Sequence, residues 1–101
     1  MSSCTDIKIN EKIDQKIAPP TNWKVILLND DSTPFDFVIS LLIEVFNHTV
    51  ETAKSITMQV HETGSGVAGV YSFEIAEVKS VESTELARSN GFPLQIKLEE
   101  D

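Results

Sequence analysis

Between Trp23 and Phe46 the chain reads WKVILLNDDSTPFDFVISLLIEVF. Three kinds of local structure follow one another there. Trp23-Lys24-Val25-Ile26-Leu27-Leu28 is aromatic, β-branched and apolar, which favours a strand. Asn29-Asp30-Asp31-Ser32-Thr33-Pro34 stops it, because these side chains hydrogen-bond their own backbone. Thr33 is the expected N-cap of a helix, and Pro34 suits its first turn, where a missing N–H costs nothing. Asp36 then places a negative charge where the helix dipole favours one. Phe35, Val38, Ile39, Leu42, Val45 and Phe46 recur at spacings of three and four, predicting an amphipathic helix over 35–47. The pattern holds an Asn-Asp-Asp cluster on a corner beside an apolar helix. Such a corner suits capture of a cation next to a hydrophobic pocket.

The remaining segments complete a small domain. Thr49 is placed to cap a second helix over 50–61, with Val50, Ala53, Ile56, Thr57 and Val60 on its inner face. Glu62-Thr63-Gly64-Ser65-Gly66 reads as a loop. Gly66–Phe73 reads as a second strand, and the alternation Phe73-Glu74-Ile75-Ala76-Glu77 prolongs it. A third helix is expected over 78–90, with Val78, Val81, Leu86 and Ala87 inward and a stop at Asn90-Gly91. Phe92–Glu99 alternates as a third strand. The order β-α-α-β-α-β predicts an α+β fold, a small and largely antiparallel three-stranded sheet packed against three helices. Ala18-Pro19-Pro20-Thr21 is a stiff joint, so the reading is an N-terminal arm, residues 1–20, and a core domain, residues 21–101. A short helix over Ile7–Ile17 is the alternative for the arm.

Charge narrows the partners. The 101 residues carry a net charge of −8, which disfavours nucleic acid and anionic membrane. No apolar run approaches the roughly 18 residues of a membrane span. The first twenty residues lack the apolar stretch of a signal peptide. The single cysteine, Cys4, has no internal partner and fits a reducing, cytoplasmic setting.

Catalytic patterns are missing. No G-x-S-x-G occurs, no metal-ligand spacing, and Gly64-Ser65-Gly66 has no lysine after it to cradle a phosphate. Asn29-Asp30-Asp31 lacks the alternating oxygens and glycine of a calcium loop. Taken alone it is an ordinary turn. His61 alone is an ordinary helix-end histidine, and His48 a solvated one between helices. An enzyme built on Asp30, Asp31 and His61 is the rival from another class, but both carboxylates sit in one turn without a positioned partner.

WKVILLNDDSTPFDFV, then Val60-His61, Gly69-Val70-Tyr71, Glu74-Ile75-Ala76-Glu77-Val78-Lys79 and Phe92-Pro93-Leu94 occur in that order. From about Pro19 onward the chain resembles the ClpS family, adaptors of the bacterial ATP-dependent Clp protease. The resemblance implies a receptor without an enzymatic activity or a cofactor. It implies binding of N-degrons, proteins whose first residue is Leu, Phe, Tyr or Trp, and their delivery to the N-terminal domain of the unfoldase ClpA. On this resemblance Asn29, Asp30, Asp31 and His61 hold the substrate α-ammonium. Asn29 and Asp31 supply acceptors, Asp30 adds negative potential, and His61 accepts through an unprotonated ring nitrogen. Leu27, Leu28, Thr33, Pro34, Phe35, Val38, Thr57, Val60 and Leu94 would line the side-chain pocket. Glu74 and Lys79 would dock the unfoldase, away from the pocket, and residues 1–20 would assist delivery. The protein is expected to be a monomer. Phe35 and Thr57 stand where the family usually has Met. These two departures leave open an altered N-terminal specificity, and a different unfoldase partner is the other alternative.

Overall fold

The computed structural model describes residues 21–101. The expected arm, its alternative helix and Cys4 lie outside them. The elements are β1 (Asn22–Leu28), α1 (Phe35–Glu44), α2 (Val50–Thr63), β2 (Ser65–Ser72), α3 (Phe73–Ser89) and β3 (Gln95–Glu100). The sheet order is β2-β1-β3, and both pairings are antiparallel. The expected α+β class and the β-α-α-β-α-β order are those of the structure.

Strand β1 is central because it is the most apolar segment. Side chains alternate across a strand, and Val25 and Leu27 enter the main core, fully buried. They meet Val38, Leu41, Leu42 and Phe46 from the first helical region, Ala53 and Val60 from α2, and Ala76 and Ala87 from α3. The β1–β2 register shifts between Val25 and Ile26, whose partners are Gly69 and Val67. Ala68 is therefore an extra residue in β2, a bulge. Its carbonyl accepts a hydrogen bond from Nε2 of His48. His48 is thus half-buried and tied to the sheet, not solvated as expected.

Other expectations are corrected. Helix α3 begins at Phe73, where the alternation had suggested more strand. Its buried face is Ala76, Ser83 and Ala87, while Val78 and Val81 are about half exposed at 55% and 49%. Small residues let the helix approach the sheet closely, and the larger valines point outward. Val50 on α2 is likewise exposed. Helix α1 ends at Glu44 rather than 47, with Asn47 in a left-handed turn (φ 58°) that asparagine tolerates. The predicted cap of α1 also moves by one residue. Pro34 is the N-cap, in extended conformation, and makes no side-chain cap.

Helix α2 runs through Thr63, two residues past the expected end, so Glu62 and Thr63 are helical rather than loop. Thr49 Oγ1 accepts from the Thr52 N–H at one end, and Gly64 takes the left-handed conformation (φ 94°) at the other. The strand that follows passes close beneath the helix. A Cβ on Gly66 would lie 2.8 Å from Cγ2 of Val60. Gly66→Ala is therefore expected to lower stability by about 1–3 kcal/mol, the cost of overpacking a filled site. Urea unfolding of the purified variant measures it, with an unchanged midpoint as the contrary result.

Candidate functional site

A cavity of about 270 Å³ opens where β1 ends and α1 and α2 meet. Its lining comprises Leu28, Asn29, Asp30, Asp31, Thr33, Pro34, Phe35, Val38, Thr57, Val60, His61 and Leu94. This is a small pocket, below the ~300–1,000 Å³ that holds a drug-sized ligand. One large side chain is a better match.

Local chemistry fixes the turn at its mouth. Oδ2 of Asp30 accepts from the Ser32 N–H at 3.0 Å and from the Thr33 hydroxyl at 2.8 Å. The Thr33 hydroxyl thus belongs to the turn, and the N-cap of α1 is Pro34, one residue further on. The Asn29 N–H donates to the Gly64 carbonyl at 2.9 Å. That bond ties the turn to the end of α2, three residues beyond His61. Asp31 is exposed, as is His61. The turn residues and His61, distant in sequence, therefore border one cavity.

The deeper wall is mostly apolar. Val38, Val60 and Leu94 are buried. Thr57 is also buried, and its hydroxyl donates to the Ala53 carbonyl at 2.7 Å, leaving its oxygen free only to accept. Leu94 is held by an interaction that sequence reading did not anticipate. Nη1 of Arg88, in the last turn of α3, donates to the carbonyls of Phe92 and Leu94 at 2.9 and 2.8 Å. A basic residue just before the Asn90-Gly91 stop is the only sequence trace of that role. Phe35 stands at the rim, 40% exposed.

Leu27, expected in the lining, does not border the cavity. It is fully buried in the core, on the opposite face of β1 from Leu28. Glu74 and Lys79 also lie off the cavity. Glu74 is exposed in the first turn of α3. Lys79 is not a free surface cation. Its Nζ donates to the carbonyl of Val45, the C-cap of α1, at 2.7 Å and lies 5.9 Å from the Tyr71 ring centroid.

Comparison with known proteins decides the family. The family model described as ATP-dependent Clp protease adaptor protein ClpS matches residues 18–97. This chain belongs to the ClpS family. The ClpS adapter protein of Treponema denticola is 45% identical over 87 residues, covering 86% of both chains. That of Paraburkholderia phymatum is 45% identical over 95 residues, covering 94% of this chain and 91% of the other. A solved structure of Agrobacterium tumefaciens ClpS2 bound to L-phenylalaninamide superposes with a TM-score of 0.80 at 41% identity. It covers 82% of this chain and all of that one. ClpS proteins are adapters of the protease and not the protease itself. Among the described residues, no helix is long and apolar enough to cross a membrane.

The two aspartates of this ClpS turn should separate experimentally. Asp30→Ala removes two hydrogen bonds and should lower stability by about 1–2 kcal/mol. Asp31→Ala breaks no such bond among the described residues and should leave the melting temperature unchanged. Thermal unfolding followed by circular dichroism compares them, and equal losses would contradict the division of roles.

Proposed function

We propose that this chain captures proteins by a free N-terminus that begins with Leu, Phe, Tyr or Trp, and delivers them to a Clp AAA+ unfoldase such as ClpA. The observation that carries the reading is the composition of the cavity. Its mouth gathers oxygen and nitrogen acceptors, and its deeper wall is formed by the buried Val38, Thr57, Val60 and Leu94. A protein N-terminus with a large first residue has the complementary parts, an ammonium and a hydrophobic side chain. L-Phenylalaninamide, held by the Agrobacterium relative, has both.

An ammonium offers three donors and accepts none. Asn29, Asp31 and His61 are the acceptors in this reading, with Asp30 holding the turn and adding negative potential. The first side chain enters between Leu28, Val38, Thr57, Val60 and Leu94, with Thr33, Pro34 and Phe35 around the entrance. Burying it contributes about 1.5–3 kcal/mol. Each charged hydrogen bond at the amine adds roughly 1.5–3 kcal/mol. A dissociation constant near the micromolar range, about −8 kcal/mol, follows. Val and Ile carry their bulk at Cβ, against the polar rim, and are excluded. Acetylation removes the charge and a donor. A tyrosine phenol meets Thr57 as donor to its oxygen, the one role that the hydroxyl leaves open.

Docking on the unfoldase falls to the α3 side of the molecule, remote from the cavity. Glu74 is the contact residue there, while the Lys79 contact with Val45 gives that lysine a structural share. Residues 1–20 act as the delivering arm and residues 21–101 as the substrate-binding core. The adaptor works in the cytoplasm as a monomer.

Fluorescence anisotropy with labelled peptides that differ only at residue one tests the reading. Leu, Phe, Tyr and Trp should bind; Ile and acetyl-Phe should not. Equal binding of acetylated and free peptides would sink the proposal.

A further inference from the structure

The ring contact between the two halves of the site points to a role for Phe35 beyond that of a pocket wall. Phe35 is the first residue of α1, and His61 lies near the C-terminal end of α2. Their rings meet edge to face, with centroids 4.9 Å apart and planes inclined at 73°. This is a favourable geometry for an aromatic pair. The other histidine, His48, has its ring fixed by the Ala68 carbonyl. His61 is exposed, and among the described residues no hydrogen bond or salt bridge holds its side chain. An exposed imidazole that must present one nitrogen to a ligand loses rotamer freedom when it does so. A ring already packed against a neighbour has less left to lose.

We propose that Phe35 is a positioning residue for His61: its ring braces the imidazole at the rim, so that the apolar wall of the pocket sets how firmly the amine end is held. The inference rests on the α-amino receptor reading above. It differs from a mere wall contact in a measurable way. A wall that touches the first side chain alters the ranking among Leu, Phe, Tyr and Trp. A brace acts through the ammonium common to all four peptides, so its loss weakens them alike.

The test is a double-mutant cycle on the full chain with the four labelled peptides, using wild type, Phe35→Leu, His61→Ala and the double variant. Phe35 is 40% exposed at the rim, outside the buried core, and its replacement should fold; Phe35→Tyr, which keeps the ring, serves as the rescue. The expected loss in Phe35→Leu is about two- to tenfold, the strength of one aromatic pair. It should be the same for every first residue, absent in the His61→Ala background and restored in Phe35→Tyr. A second readout needs no peptide. The His61 ring protons should show a ring-current shift in the proton NMR spectrum that Phe35→Leu abolishes and Phe35→Tyr retains. A loss that reorders the peptides and persists without His61 would overturn the brace and leave the receptor intact. His61 protons that do not respond to Phe35→Leu would overturn it as well. Wild-type protein that binds none of the four peptides would overturn the receptor reading and this inference with it.

Discussion

The bond from the Asn29 N–H to the Gly64 carbonyl joins the end of β1 to the end of α2. The rest of the site depends on that junction. On one side of it, the Asp30 carboxylate folds the acidic turn by accepting from Ser32 and Thr33. On the other, the left-handed Gly64 turns the chain from α2 into β2 and aims its carbonyl at the strand end. The polar mouth is therefore an assembly of two chain ends, Asn29 to Asp31 and His61, fixed by backbone geometry. A hydrogen bond to a charged group contributes more when its acceptors are already in place, because less ordering remains to be done on binding.

Close packing makes the junction possible. Gly66 leaves no Cβ between β2 and Val60, and Ala76, Ser83 and Ala87 let α3 lie near the sheet. Arg88 then reaches across to hold the carbonyls on either side of Pro93, which seats Leu94 in the cavity wall. On the far side, Lys79 meets the carbonyl of Val45 at the end of α1. The C-terminal end of each helix is thus tied to a neighbouring segment, and the cavity lies among parts that hold one another.

Much of this was legible in the chain. The apolar run of β1, the acidic turn, the Thr49 cap and the Asn90-Gly91 stop each carry a local signal strong enough to place their elements. Eleven of the twelve cavity-lining side chains lie in segments whose spacing or turn chemistry marked them, and Leu94 in a strand-like alternation. The failures share a cause: they were decided by neighbours rather than by local preference. The alternation at Phe73–Glu77 imitates a strand, yet that segment is the first turn of α3. Valines 78 and 81 were expected inside on hydrophobicity, but space at the sheet admits only small side chains. Leu27 and Leu28 look equivalent in sequence, and only the face of β1 that each occupies sends one to the core and the other to the cavity. His48 finds the bulge carbonyl of Ala68, which no periodicity foretells. The bonds made by Arg88 and Lys79 link residues through the fold, and neither has a pattern of its own.

In the proposed reading, the site of this ClpS-family chain holds an amine and an apolar side chain together. The most direct measurement is an amide NMR titration of the full chain with L-phenylalaninamide. The account predicts one saturable event in which Asn29, Asp31, His61 and Gly64 shift in concert with Val38, Val60 and Leu94. Shifts confined to the outer face of α3, or no saturable change at any residue of the cavity, would contradict it.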